Sequence, residues 1–419
     1  MLPQIEGAVL TILHPEVKSL IRNFAGGLMP VRLGMGEQLS LVVKTQKEAI
    51  LAAKMHGGFA FYLPVLPSTT VTTTALISAF FDDEDEPLII SSPLFEDDTF
   101  SHQILDILGY EEVDIYFFDE QNYEWMSFRT ALEDGGSCII GDEEIHLLSY
   151  HPESVKNIHH ALKNWFGHRT LDDDKRAIQA AFMSELAPSD VLVLDMTPEV
   201  NGYQGSAGFR RDTLTRNNPG YFQERDISAC LLRAFAPESV MMNPRRKDTN
   251  KEILDHLVLT DTIAILIQAK DNPTTEAGIS RSLDRKRSSS HGQIEKAIRQ
   301  INGAARYLDR KAVANLVVGG QDIEVSIGQR KVIGLAIVKE LFDDEGDAYV
   351  TACANLARLN GGGIVMDYYS FHAFTHHFTS ADTFIDALDA IIARMKSDGW
   401  FPVKDAVLDG VLDWITHAP

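Results

Sequence analysis

Residues 253–270 read ILDHLVLTDTIAILIQAK and contain two apolar runs, residues 253–259 and 263–269. Three polar residues, Thr260, Asp261 and Thr262, separate the runs. Short runs rich in isoleucine, valine and leucine with a polar turn between them are typical of two antiparallel strands. The sequence therefore predicts a β-hairpin over this stretch.

The register of this hairpin decides which polar side chains meet. A two-residue loop puts Asp255 directly opposite Gln268, whereas a three-residue loop shifts the pairing by one. Gln268 and Lys270 are two residues apart in one strand, so both side chains point to the same face. Burying such groups at strand ends is costly unless they are paired, and a cluster of an acid, an amide and an ammonium group is therefore typical of a functional site.

The flanking sequence predicts further elements of an α/β domain. Apolar spacing predicts helices over residues 224–235 and 293–308, with Glu224 at the start of the first and Gln300 beside the apolar stripe of the second. Residues 313–318 and 331–338 are predicted strands.

This order of helix, strands and polar residues resembles the PD-(D/E)xK nuclease superfamily, which has the restriction-endonuclease-like fold. Gln268-Ala269-Lys270 looks like the QxK variant of its last strand motif, and Gln300 is similar to the glutamine that some members carry on the following helix. The resemblance covers residues 205–338 and implies an αβββαβ core. It leaves the first half of the chain unexplained.

The resemblance implies a divalent cation, Mg²⁺ or Mn²⁺, held by Asp255, by the carbonyl oxygen of Ala269 and by Glu224. Such a cation prefers oxygen ligands, lowers the pKa of a bound water and offsets charge on the reacting phosphate. Lys270 would orient the attacking water or help to deprotonate it. The predicted function is hydrolysis of nucleic-acid phosphodiester bonds, with DNA favoured over RNA by the resemblance alone, in restriction, repair or anti-phage defence.

The chain differs from the family pattern at two positions. Leu254 precedes Asp255 where many members have proline, and Gln268 stands where many have a carboxylate, which is a stronger metal ligand than an amide. Two alternatives therefore stay open. One is a decayed nuclease that binds nucleic acid or protein, and the other is an α/β binding protein in which the QAK sequence has no such role.

The distribution of charge favours a nucleic-acid partner. The chain has a net charge of −22, but residues 205–311 hold 19 Lys and Arg against 13 Asp and Glu, which is +6, and the rest of the chain is −28. The basic side chains predicted to contact phosphates are Arg245, Arg246, Lys247, Arg281, Arg285, Lys286 and Arg287. For both basic segments, 245–247 and 281–287, the alternative is an exposed loop without this role. The acidic first half could also lie against the basic half and mask it.

The first half is predicted to be a mixed α/β domain of unknown role, residues 1–166, with strands at 39–43, 58–65, 70–80 and 113–118 and a helix at 154–166. The acidic segment 82–87 fits a solvated hairpin tip better than a calcium loop, because it lacks the EF-hand spacing. Residues 167–204 are a predicted linker region with a helix at 176–186 and a strand at 191–196. Residues 205–419 complete the nuclease-like domain.

Composition excludes several classes of protein. No run of 18 apolar residues predicts a membrane helix, the first residues lack the pattern of a signal peptide, and the cysteines are three in number and widely spaced. We therefore expect a cytoplasmic protein, with a homodimer suited to double-strand cutting. His372, His376 and His377 could bind zinc on one helix, but neighbouring phenylalanines favour core packing.

Overall fold

The hairpin predicted for residues 253–270 is present in the structure, a computed structural model. Its strands are His256–Leu259 and Ile263–Lys270, paired from His256↔Ile267 to Leu259↔Ala264. Asp261 and Thr262 thus occupy a two-residue loop, which selects the first of the two registers that the sequence left open. The structure describes residues 10–33, 38–67, 72–133, 145, 147–151, 155, 158, 161–162, 165–189 and 193–401.

The strands of the described residues are numbered in chain order. They are β1 (Gly27–Arg32), β2 (Leu39–Lys44), β3 (Gly58–Tyr62), β4 (Val65–Pro67), β5 (Thr72–Phe80), β6 (Leu88–Pro93), β7 (Glu112–Phe118), β8 (Glu124–Glu133), β9 (Ile178–Ala187), β10 (Val193–Asp195), β11 (Arg210–Asp212), β12 (Val240–Met242), β13 (Arg245–Arg246), β14 (His256–Leu259), β15 (Ile263–Lys270), β16 (Ala314–Val318), β17 (Gln321–Val325), β18 (Lys331–Val338) and β19 (Gly363–Asp367).

The helices are numbered in the same way. They are α1 (Leu10–Leu13), α2 (Val17–Asn23), α3 (Lys47–His56), α4 (Thr99–Leu108), α5 (Leu171–Arg176), α6 (Pro198–Asn201), α7 (Pro219–Leu231), α8 (Glu276–Ile279), α9 (Leu283–Asp309), α10 (Gly346–Ala354), α11 (Tyr368–His377) and α12 (Ala381–Asp398). Within the part of the chain that the structure describes, none is long and apolar enough to cross a membrane.

The chain divides into two compact units, both of mixed α/β structure. The first comprises Met1–Leu192, Thr213–Thr215 and Thr274–Arg281, and the second comprises Val193–Asp212, Arg216–Pro273 and Ser282–Pro419. The first unit is built on a nine-stranded sheet in the order β1-β2-β7-β8-β9-β3-β5-β4, with β6 paired to β5. Only β2 and β7 are parallel among these pairs. The acidic segment 82–87 joins the antiparallel strands β5 and β6, which confirms the predicted hairpin tip.

The helix predicted for residues 176–186 is wrong. This segment is strand β9, which lies between β8 and β3 in the middle of the sheet. Its sequence, IQAAFMSELA, has the composition of a helix because it is rich in alanine, methionine, glutamate and leucine. Ladders with strands on both sides override that local preference. The predicted helix at 154–166 lies largely outside the described residues.

The second unit is built on a five-stranded mixed sheet in the order β12-β14-β15-β18-β19. The first two pairings are antiparallel, and β15, β18 and β19 run parallel. Helix α9 packs against β15 and β18, and α7 packs against β12 and β15. The parallel strands are apolar almost throughout, as expected for strands covered on both faces.

Two helices of this unit extend beyond their predicted limits. Helix α7 begins at Pro219, whose fixed φ and missing N–H suit a first helical turn. Helix α9 begins at Leu283 and includes the basic segment 285–287, for which the sequence analysis predicted no helix. Sequence periodicity missed that first part because its apolar stripe begins only at Ile294, after charged and serine-rich turns.

A closed network of buried charges joins β11 to α7. Arg216 donates to Asp212 at 2.6 Å and 2.8 Å and to Asp226 at 2.7 Å, and Arg210 contacts both aspartates. All four side chains are nearly inaccessible to solvent. Burial alone would lower the pKa of Arg216, but the two carboxylates raise that pKa well above its ordinary value. The network balances two positive charges with two negative ones.

We predict that Asp226→Ala lowers the free energy of unfolding by about 3–5 kcal/mol, because it leaves two guanidinium groups buried with one carboxylate. Asp322→Ala is the control, since it breaks an exposed pair with Lys247 and costs about 0–1 kcal/mol. Urea denaturation followed by circular dichroism measures both. Equal losses in the two variants would contradict a structural role for the network.

Candidate functional site

Asp255 lies at one end of the strands of the sheet, just before β14 begins. Its carboxylate is buried, and Oδ2 accepts a hydrogen bond of 2.7 Å from the backbone N–H of Ala269. The ladder between β14 and β15 ends at His256↔Ile267, so the side chain of Asp255 takes the place of a further strand residue as the partner of that N–H. This contact fixes the carboxylate against the end of β15.

Lys270 closes the arrangement from the same strand end. Its Nζ donates to the carbonyl oxygen of Ala269 at 2.7 Å and lies 3.7 Å from Asp255 Oδ2. The two oxygens that the resemblance assigned to a metal, one on Asp255 and one on Ala269, are therefore both within reach of one cationic group. Oxygens that converge in this way fit a hard divalent cation as well.

A β-bulge lies next to Asp255. Strands β12 and β14 pair in a constant register as far as Met242↔His256, and the next bridge along the same two segments joins Arg245 to Glu252. Two residues of the first segment therefore face three of the second, residues 253–255. Bulges change the direction of a side chain and are frequent beside active sites.

Glu224 reaches the site from α7. Its Oε2 accepts a hydrogen bond of 2.9 Å from Asn243 Nδ2. Burial raises the pKa of Glu224 to about 7; the charges of Asp255 and Glu252 add to this increase, and the Asn243 hydrogen bond and Lys270 oppose it. A carboxyl group with this pKa gains and loses its proton near neutral pH, and a bound cation would favour the deprotonated form.

His256 attaches α7 to the sheet beside the site. Its Nε2 lies 2.8 Å from both Ser228 Oγ and the carbonyl oxygen of Glu224. Burial lowers the pKa of His256 to about 4, so the imidazole is neutral at physiological pH. The backbone of Glu224 is thus held in place by a residue that does not compete for its negative charge.

Gln268 is buried in β15, at 1% exposure, and shares a strand face with Lys270. Its Nε2 has no hydrogen-bond partner among the described residues. Asn243 Oδ1 and His256 Nδ1 are in the same condition. Buried polar groups without partners cost about 1–3 kcal/mol each, and each such group calls for an explanation, of which a bound ligand is one.

Two polar residues at the site were missed by sequence reasoning. Glu252 interacts with the Asp255 carboxyl group, and burial together with that charge raises the pKa of Glu252. Asn243 contacts Glu224 as described above. Neither belongs to a periodic pattern, and the bulge that brings them to Asp255 has no signal in the sequence.

Gln300 is not brought to the strand ends. It is exposed on α9, and its neighbour Ile301 packs near Gly334 in the middle of β18. Gln293, two helical turns earlier, lies beside the end of β15, because its Nε2 donates to Asn272 Oδ1 at 2.9 Å. The helix prediction was sound in periodicity but did not show which turn meets the strand ends.

The predicted phosphate-binding residues do not form one surface at the site. Arg245 is nearest, with its guanidinium 4.0 Å from Glu252. The others have separate local partners or belong elsewhere: Lys247 pairs with Asp322 at 2.6 Å, Arg287 pairs with Asp344 at 2.7 Å, Arg246 stacks on Tyr307 at 4.1 Å, Arg285 and Lys286 lie on α9, and Arg281 belongs to the first unit.

The three histidines near the C-terminal end lie on α11. His372 is buried, and its Nδ1 is 2.9 Å from Arg233 Nη1. Across the residues that the structure describes, no group of three or more His, Cys, Asp or Glu side chains is arranged to hold a metal ion. The three histidines therefore do not form such a group. The carboxylates near Asp255 do not form one either, because one of the oxygens that converge there belongs to a backbone carbonyl and not to a side chain.

Comparison with known proteins adds no relative. No protein-family model matches the chain, and neither the curated proteins nor the solved structures include a significant match.

We predict that the free energy of unfolding of the metal-free protein falls, relative to a Glu224→Gln variant, as pH rises from about 5 to 8. The folded-state pKa of Glu224, about 7, is above its ordinary value of 4.5, so the folded state binds the proton more tightly, and this stabilisation is lost as pH rises through 7. The difference should approach about 2–3 kcal/mol.

Urea denaturation in EDTA at several pH values measures this difference. Glu295→Gln, a substitution of an exposed glutamate on α9, is the control and should follow the wild type. A constant difference between wild type and Glu224→Gln from pH 5 to 8 would contradict the buried environment of the carboxyl group.

Proposed function

We propose that the second unit is a divalent-metal-dependent nuclease of the PD-(D/E)xK type that hydrolyses phosphodiester bonds in nucleic acid, with DNA as the favoured substrate. The observation that carries the proposal is the convergence of the Asp255 carboxylate, the Ala269 carbonyl oxygen and the Lys270 ammonium group at one end of β14 and β15. These are the groups that the resemblance assigns to such a site.

The order of elements supports this proposal. Among the elements of the five-stranded sheet and the helices packed on it, α7 precedes β12, β14 and β15, and α9 and β18 come later in the chain; β12–β14 and β14–β15 are antiparallel and β15–β18 is parallel. Strands β13, β16 and β17 belong to a separate sheet. An αβββαβ core of the restriction-endonuclease-like kind requires this order. In open α/β sheets, ligands also bind at the carboxyl ends of parallel strands, which is where Lys270 lies.

In this proposal Asp255, Glu224 and the Ala269 carbonyl hold Mg²⁺ or Mn²⁺. When bound, the cation lowers the pKa of a water molecule and offsets charge on the phosphate. Asp255 is held in place by the Ala269 N–H, and Lys270 Nζ would have to move off the Ala269 carbonyl oxygen, to which it donates, before that oxygen could bind a cation. Lys270 supplies a positive charge beside Asp255, where it orients the attacking water and stabilises a phosphate oxygen.

A second candidate is a decayed nuclease that binds nucleic acid or a protein partner without cutting. The observation that favours it is Gln268, a neutral amide at the strand position where a carboxylate is expected, buried at 1% exposure. An amide oxygen is a weaker ligand for a hard cation than a carboxylate. The two candidates differ in whether the remaining oxygens are enough to hold the metal.

We predict that the purified protein nicks supercoiled plasmid or degrades single-stranded DNA with Mg²⁺ or Mn²⁺. Asp255→Ala and Lys270→Ala should each lower the rate by about 10²–10⁴-fold, because each removes a group in contact with the reacting atoms or the metal. The controls are Asp172→Ala and Lys175→Ala, which remove the same charges from an exposed pair. Inactivity of the wild type with both metals and both substrates would refute the nuclease proposal.

We predict that Gln268→Glu increases the affinity for Mn²⁺ by about tenfold or more, because an anionic oxygen replaces a neutral one at the cation site. Isothermal titration calorimetry of the wild type and the variant measures this change. Gln300→Glu is the matched control, since it makes the same substitution at an exposed position of α9. If only Gln268→Glu binds Mn²⁺ and the wild type does not, the decayed-nuclease alternative is the correct one.

A further inference from the structure

Asn243 links two of the carboxylate residues of the proposed site. Its side-chain Nδ2 donates to Glu224 Oε2 at 2.9 Å, and its backbone N–H donates to the carbonyl oxygen of Asp255 at 2.8 Å. The first contact reaches α7 and the second reaches the bulge before β14. One residue therefore sets the distance between a side chain on a helix and a side chain at a sheet edge.

The backbone at Asn243 is in the left-handed region, with φ of 52°. A side chain larger than glycine costs free energy there, although asparagine tolerates it better than most residues. Glycine would form the same backbone turn at lower cost. The presence of a side chain at this position is therefore better explained by its contact with Glu224 than by the turn.

The orientation of the Asn243 amide follows from its partner. Asn243 Nδ2 donates its hydrogen bond to Glu224 Oε2, so the NH₂ group is the one that faces the carboxyl group. The amide oxygen, Oδ1, is then the atom that is buried without a hydrogen-bond partner in the described part of the chain. It lies beside the carboxylates, where it can accept a hydrogen bond from a metal-bound water.

We propose that Asn243 is a positioning residue that orients Glu224 and Asp255 toward a shared divalent cation. This inference rests on the proposed function. A neutral amide suits the task because it fixes the direction of the Glu224 carboxylate and leaves its charge available, whereas a lysine or arginine in the same place would compete with the cation. Partners of metal ligands that act in this way typically change metal affinity by 10–100-fold when they are removed.

The test compares Asn243→Gly with Asn250→Gly. Asn250 is a matched control because its φ is 53° and it is exposed, in the turn that follows β13. Both substitutions keep a residue that favours the left-handed backbone, so both variants should fold. We expect Asn243→Gly to bind Mn²⁺ 10–100-fold more weakly than the wild type in calorimetric titration, and Asn250→Gly to bind within twofold of it.

A double-mutant cycle identifies the residue through which Asn243 acts. In the Glu224→Ala background, Asn243→Gly should cause a much smaller further loss of Mn²⁺ affinity, because the side chain that it orients is absent. Under steady-state cleavage conditions, Asn243→Gly should lower kcat while KM for DNA stays within twofold. A general loss of structure would instead lower the melting temperature and weaken both constants.

The outcomes separate the inference from the proposed function. Mn²⁺ binding by the wild type with no change in Asn243→Gly overturns the positioning role and leaves the nuclease proposal intact. An equal loss in the presence and absence of Glu224 also overturns it, because Asn243 would then act independently. Failure of the wild-type protein to bind Mn²⁺ overturns both.

Discussion

The arrangement of the site depends on the register of one hairpin. Asp261 and Thr262 close the turn between β14 and β15, and the pairing that follows carries Asp255 to the level of Gln268. Successive side chains of a strand point to opposite faces, so a slip of one residue would send Gln268 and Lys270 away from the carboxylate. Because both faces of β15 are apolar, the length of the loop fixes this register.

The two acidic residues of helix α7 have opposite surroundings. Asp226 is surrounded by two arginines in a closed network, whereas Glu224, two positions earlier, has an amide as its hydrogen-bond partner. The first arrangement anchors the helix, and the second leaves a carboxyl group whose pKa is about 7. A buried carboxyl group without a fixed cationic partner lowers the stability of the folded state. Buried acids with a shifted pKa are found mainly at sites that bind ligands or carry out chemistry.

Local sequence predicted those elements whose local preference agrees with their tertiary surroundings. The hairpin, the strands at 314–318 and 331–338 and the core of α9 have strong apolar patterns and were found at the expected places. Strand β9 was predicted as a helix because ten residues with helical preference are held by ladders on both sides. The prediction that Gln300 lies at the site was wrong for a related reason: periodicity gives the face of a helix but not the displacement of that helix along the sheet.

The sequence by itself determined the hairpin and limited its register to two possibilities, because these depend on neighbouring residues and on the alternation of a strand. The structure has the two-residue loop, and this loop brings Asp255 to the end of β15. Only the tertiary structure decided that Glu224, Asn243 and Glu252 meet there. Glu224 comes from α7, Asn243 is the residue after β12, and Glu252 is the residue before the bulge at 253–255. Their meeting depends on how α7 packs on the sheet and on one extra residue in a ladder, and neither leaves a periodic signal in the chain.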